Sequence, residues 1–264
     1  MSLVLLIVLL AIGLALAMTL AWQIVLRTGN SGFTDVIWSY ATGLAGVAAA
    51  LSPIEGGEPG PRNWLVAALV AVWSIRLGTH ILARTHKGGD DPRYAALKAE
   101  WGETYRTQLF VFLQIQAGAG WVLAVAVLAA AHSALPIGLP DLLGVAVAII
   151  AIVGEAIADG QLAAFRKDPA NKGKVCDVGL WGLSRHPNYF FEWFYWLAYP
   201  VIALGSGFGW VALAAPLLMY WLLVHASGIP PLEAHMERSR PEAFAAYKRR
   251  VRAFWPIPKT PDAA

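Results

Sequence analysis

A single cysteine, Cys176, stands in the 264 residues, so neither an intrachain disulfide framework nor a cysteine-built zinc site is available to the chain. Charge is scarce as well. Asp, Glu, Lys and Arg make up 14% of the residues, against about 25% in an ordinary soluble domain. No Gly-x-Gly-x-x-Gly run lies between a strand-like and a helix-like stretch, so the usual soluble dinucleotide-binding domain is excluded. Gly205-Ser206-Gly207-Phe208-Gly209 is the nearest approach and reads as a turn. No span pair repeats another and no low-complexity segment appears, so residues 1–264 read as one domain. What is abundant is apolar surface: 58% of the residues are hydrophobic and mean hydropathy is +0.55. That excess comes in long runs, the pattern of helices solvated by lipid.

About 20 apolar residues at 1.5 Å each cross a hydrocarbon core of roughly 30 Å. Seven stretches qualify: 3–26, 33–51, 63–83, 109–131, 139–165, 189–204 and 208–227. The first has no basic leader and is too long for a signal peptide's apolar core, so it reads as a retained helix. Seven crossings put the ends on opposite sides. With that alternation, 18 of the 20 Lys and Arg residues fall on the side holding Arg27, Arg106, Lys172 and the tail; Arg76 lies within a span and Arg62 lies opposite. The positive-inside rule makes the basic side cytoplasmic, with the N-terminus out and the C-terminus in. The net charge of +3 therefore reflects membrane topology, and no nucleic-acid partner is expected. Compact loops and Ala- and Gly-rich spans suit a bacterial inner membrane.

Ionisable groups at membrane depth cost about 2.5–3.5 kcal/mol each on insertion scales and mark function by default. Here they form stripes four residues apart: Arg76, His80 and Arg84; Glu155 and Asp159, followed by Gln161 and Arg166; Asn188 and Glu192; and, after His225, Glu233 and Glu237. Residues four apart share a helix face. All but Arg76 lie towards the cytoplasmic ends, which predicts one polar chamber open to the cytoplasm.

The stretch Gly179-Leu180-Trp181-Gly182-Leu183-Ser184-Arg185-His186-Pro187-Asn188-Tyr189 places a basic loop at a helix start, with Glu192 one turn on. Unsatisfied amides and the helix dipole there favour an anion, usually phosphate. Arg185 adds a bidentate donor, Asn188 an amide and Tyr189 an aromatic face.

This segment resembles the C-terminal signature of the steroid 5α-reductase family and of its kin, the sterol C14 and C7 reductases. Asp159 and Arg166 match the family's preceding polar helix end. His80 to Arg84, Asp90-Asp91-Pro92-Arg93-Tyr94 and the tail from Ser227 to Tyr247 are similar to a bacterial branch. Arg-His-Pro-x-Tyr is also shared with isoprenylcysteine carboxyl methyltransferases, which use S-adenosylmethionine. Asn188 and Glu192 incline the resemblance to the reductases.

That resemblance implies an all-α membrane oxidoreductase passing hydride from NADPH to the double bond of an enone, such as a 3-oxo-Δ4-steroid or similar lipid. It implies a cofactor-binding half, 109–264, and a substrate-side half, 1–108. The cofactor contacts it implies are Arg84, Asp159, Arg166, Lys174, Ser184, Arg185, His186, Asn188, Tyr189 and Glu192, with Lys172 a further phosphate candidate and no metal. The chain departs from the family at the catalytic positions. Ile81 stands where the family has a Tyr, and Glu55 falls on the outer side. Asp35 is the substitute acid, Tyr94 or Tyr40 the substitute donor, and His80 a further donor.

Overall fold

The computed structural model describes residues 1–87 and 92–259, and it is all-helical, with one isolated backbone bridge pairing Ser184 with Arg252. Asp90 and Asp91 of the bacterial-branch match lie outside the described residues. The helices are α1 (Leu3–Thr28), α2 (Gly32–Leu51), α3 (Pro61–Lys87), α4 (Pro92–Trp101), α5 (Tyr105–Ala131), α6 (Leu139–Lys167), α7 (Pro187–Trp196), α8 (Ala198–Ile202), α9 (Ala214–Trp221), α10 (Ile229–Ser239) and α11 (Pro241–Arg250).

Among the described residues, five helical segments are long and apolar enough to cross a bilayer: Leu3–Thr28, Pro61–His86, Arg93–Ala131, Leu139–Lys167 and Gly209–Ser239. Their outward side chains are those lipid tolerates. On α1, Val4, Leu5, Val8, Leu9, Ile12, Leu16 and Leu20 are exposed, and on α6 Leu142, Leu143, Ile149, Ile150, Val153 and Ile157 are. An apolar surface of that extent has no place in water. The chain is a multi-pass integral membrane protein.

Two of the seven expected spans differ from the other five. Stretch 33–51 does form a helix, α2, of 20 residues, but Thr34, Asp35, Ser39, Tyr40 and Thr42 lower its apolar content and it is not one of the five. Stretch 189–204 is broken into α7 and α8 around Leu197. Pro200 explains the break: it has no amide for the Trp196 carbonyl, and its ring crowds that carbonyl. Leu197 closes α7 by donating to the Phe194 carbonyl at 3.2 Å, a tightened last turn.

The chain divides into two compact units, residues 1–143 with 199–215 and residues 144–198 with 216–264. The first unit includes α5. Within it, α1 runs antiparallel to α5, tied along its length by three polar contacts. The Trp121 indole donates to the Ile7 carbonyl (3.0 Å), Gln114 to Thr19 (3.2 Å), and the Trp22 indole to the Arg106 carbonyl (2.9 Å). Leu6, Leu10, Leu14 and Met18 pack between those ties, with Leu109, Leu113, Ala117 and Ala124 of α5.

Helices α2 and α3 approach closely because small residues leave room, as is common between membrane helices. A Cβ added at Gly43 would stand 2.1 Å from the Ser74 Cβ, and one at Gly78 would stand 2.7 Å from the Tyr40 ring. At one end of this unit Arg62 and Asp141 form a buried, bidentate pair at 2.7 and 2.8 Å. Arg62 also donates to the carbonyls of Ser133, Leu135 and Pro136, and so pins the turn between α5 and α6.

The second unit packs an aromatic cluster beneath α7. Phe190, Trp193, Tyr220, Phe254 and Trp255 meet largely edge to face, and the Trp193 and Trp255 ring centres are 5.3 Å apart. Phe244, Tyr247 and Val251, on and just after α11, form a smaller core with Val175 and Met236.

Candidate functional site

The segment 179–189 is held from both sides before any ligand is considered. Gly179 adopts a φ of +58° and sits against the Gln161 side chain, where a Cβ would lie 2.4 Å from its nitrogen. Only glycine takes that backbone without strain and also fits that space. Gln161 then accepts from the Leu180 amide (2.9 Å), and the Trp181 indole donates to the Ala158 carbonyl (2.9 Å). From the other side, the Tyr247 hydroxyl donates to the Trp181 carbonyl. The Ser184 hydroxyl donates to the Phe254 carbonyl (2.9 Å) and accepts from the His186 amide (3.1 Å).

At the centre, Arg185 and His186 converge on Glu233, which α10 supplies. Arg185 grips the carboxylate through Nε (2.8 Å) and Nη2 (3.0 Å), and its Nη1 donates to the Val251 carbonyl. The His186 Nε2 lies 3.1 Å from Glu233 Oε1, and Lys248 Nζ lies 3.8 Å from Oε2. Arg185 and His186 are both 8% exposed. Burial pushes the His186 imidazole below its usual value of 6.5, against a raising influence from Glu233. It therefore stays neutral at pH 7. Burial likewise pushes the Tyr247 hydroxyl and the Cys176 thiol up, so both keep their protons.

The expectation that Arg185 donates to a phosphate thus meets a different arrangement. Its donors face Glu233 and the Val251 carbonyl, so it braces the start of α7. Tyr189 stacks on His186 at 5.6 Å with planes 12° apart, and the Asn188 amide reaches Asp159 at 3.5 Å. Glu192 is buried and accepts from the Trp196 indole (3.1 Å). Arg166 and Lys174, together with Lys172, are exposed at and beyond the end of α6. Arg84 is the one cofactor candidate carried by the first unit, exposed on α3 one turn after the exposed His80.

Two of the expected catalytic residues do come together. The Tyr94 hydroxyl donates to Asp35 Oδ1 at 3.0 Å, Arg93 pairs with Asp35 Oδ2 at 2.5 Å, and Gln116 donates to the Tyr94 oxygen at 3.1 Å. Tyr94 is 4% exposed, edge-on to Phe112, and the side-chain Oε1 of Gln116 is buried with no hydrogen-bond partner among the described residues. Tyr40 instead packs its ring on Gly78. Glu55 follows α2 at the end opposite Asp35, so the length of that helix separates them.

Sequence reasoning noted Glu233 but did not join it to Arg185, and it missed Gln116, Tyr247 and Val251. A signal existed for Gln116: with Gln114 it interrupts an otherwise apolar run. No group of three or more His, Cys, Asp and Glu side chains able to hold a metal occurs among the described residues.

The family model described as protein of unknown function (DUF1295) matches residues 21–251. The chain belongs to that family. The DUF1295 match takes in both units, the whole of segment 179–189 and the Asp35–Tyr94 cluster. No curated protein and no solved structure matches.

Proposed function

We propose that this DUF1295 protein is a membrane oxidoreductase that passes hydride from NADPH to the carbon–carbon double bond of an enone in a lipophilic, steroid-like substrate. In this reading the chain crosses the inner membrane seven times, α2 and the broken α7–α8 segment included. The N-terminus is outside, and the basic loops and cofactor site face the cytoplasm. The observation that carries the proposal is the buried Arg185–Glu233–His186 cluster. It holds an Arg-His-Pro-Asn-Tyr segment rigid at the start of α7, the place where the resembling reductases keep their cofactor signature.

The donor set fits an anionic dinucleotide. Arg166, Lys167, Lys172 and Lys174 fall within one short exposed stretch, and Asp168 is the only acid among them. NADPH, when bound, supplies the hydride. Arg166, Lys172 and Lys174 would hold its phosphates. Asn188, steadied by Asp159, presents its carboxamide, and Tyr189, stacked on His186, presents a ring face. Arg185, Ser184 and Glu192 position that segment.

On the substrate side, Tyr94 holds a proton at Oη within the chain Gln116–Tyr94–Asp35–Arg93. With substrate bound, the single Tyr94 O–H would turn from Asp35 Oδ1 to the enone oxygen and stabilise the negative charge developing there, the α-carbon then taking a proton, and His80 is a second donor. The surrounding apolar helices exclude water, which strengthens that interaction.

Thermal-shift titration of the detergent-purified chain tests the cofactor. NADPH should raise the melting temperature and S-adenosylmethionine should not. A rise with the methyl donor alone would make the chain a methyltransferase of the isoprenylcysteine type. Asn188→Ala should weaken NADPH at least tenfold, and oxidation of NADPH should depend on an added 3-oxo-Δ4-steroid.

A further inference from the structure

An open groove of about 510 Å³ lies where α1 ends and α5 begins, lined by Trp22, Gln23, Leu26, Arg27 and Arg106. It belongs to no part of the site described above. Arg27 stands in the last turn of α1 and Arg106 in the first turn of α5, just before the apolar run that starts at Leu109, which places both at the level where lipid headgroups begin. Both arginines are exposed, and neither forms an ion pair with any acid among the described residues. Beneath them the wall is Leu26 with the Trp22 indole, whose ring edge meets Phe110 at 5.5 Å. The indole N–H is already engaged by the Arg106 carbonyl, so the groove's rim is fixed by the packing of α1 on α5.

We propose that this groove binds the headgroup of an anionic glycerophospholipid. The two guanidiniums take the phosphodiester, as arginines readily do in pairs. Gln23 offers its carboxamide to the polar end of the headgroup, and the first carbons of the acyl chains lie on Leu26 and Trp22. Two features favour a lipid over a soluble anion. The groove opens at the membrane interface, where the concentration of lipid phosphate is high, and its lower wall is apolar. The basic side of the chain is also the side on which anionic lipids attract Lys and Arg most strongly. Nothing in this assignment depends on the cofactor or the substrate, so it stands or falls apart from the proposed reductase activity.

Native mass spectrometry of the full-length chain in detergent, doped with phosphatidylglycerol or phosphatidylcholine, reads the binding. The wild type should retain a phosphatidylglycerol adduct at concentrations where phosphatidylcholine leaves none. Each cation near an anionic headgroup contributes about fivefold, so Arg27→Gln/Arg106→Gln should weaken retention about twenty-fivefold. Arg238→Gln/Arg249→Gln removes the same charge from exposed positions of the second unit and should leave retention unchanged. Equal retention of the two lipids overturns the proposal, and so does equal loss in the two double variants. Displacement of the adduct by millimolar inorganic phosphate would show a simple phosphate site instead. All variants are exposed, and an unchanged melting temperature in lipid-free detergent checks that each is folded.

Discussion

Glu233→Gln is the most informative single change. The carboxylate is the shared acceptor for Arg185 and His186, its side chain 13% exposed and that of Arg185 8%. Glutamine keeps the shape but removes the charge, leaving the buried guanidinium two neutral acceptors, the glutamine Oε1 and the Val251 carbonyl, in place of a carboxylate, while Lys248 keeps its pair with Glu237. Removing one partner of a buried ion pair costs about 3–5 kcal/mol. The lower figure applies here, because the Lys248 side chain is 39% exposed and opens one edge of the cluster to water. At about 2–4 °C per kcal/mol for a chain of this size, the melting temperature should fall by roughly 6–12 °C. The assay is thermal unfolding of detergent-purified protein at pH 7.5. The double variant Arg185→Leu/Glu233→Leu should recover most of that loss, since an apolar pair of similar volume avoids the desolvation cost altogether. A fall below about 2 °C in Glu233→Gln would refute the account of the cluster as a brace.

Because the folded His186 titrates below its free value, the unfolded chain binds more protons as pH falls through 6.5. Stability should therefore be full above that pH and decline below it, whereas His186→Gln should remove this contribution between pH 6.5 and 5.5; melting curves at stepped pH measure the difference. Tyr94→Phe should lower kcat for enone reduction about 100- to 1,000-fold, the usual effect of deleting one oxyanion donor, with little change in NADPH affinity. Steady-state rates decide it, and an unchanged kcat would remove Tyr94 from the chemistry. Arg62→Met should destabilise by about 3–5 kcal/mol by stranding the Asp141 carboxylate, and Arg62→Met/Asp141→Leu should regain most of it, as read by the same thermal assay.

The lipid setting was legible from hydropathy alone, because the cost of burying a backbone in hydrocarbon leaves few alternatives to long apolar helices. The same holds for the glycine and proline positions in segment 179–189, whose punctuation is local. Where the sixth stretch breaks was also written in the chain, at Pro200, though apolar content hid it. Pairings over long separations were not legible. Arg185 looks like an outward phosphate donor until α10 brings Glu233 against it from 48 positions away. Asp35 and Tyr94 looked like separate substitutes until α2, α4 and α5 packed together and put one hydroxyl between a carboxylate and an amide.

The amino-acid sequence by itself determined that the chain lives in a bilayer and which residues punctuate the basic segment. These follow from composition and from interactions within a few residues. The tertiary structure alone decided which buried charges neutralise one another. A charge in low dielectric is stable only beside its partner, and folding chooses that partner.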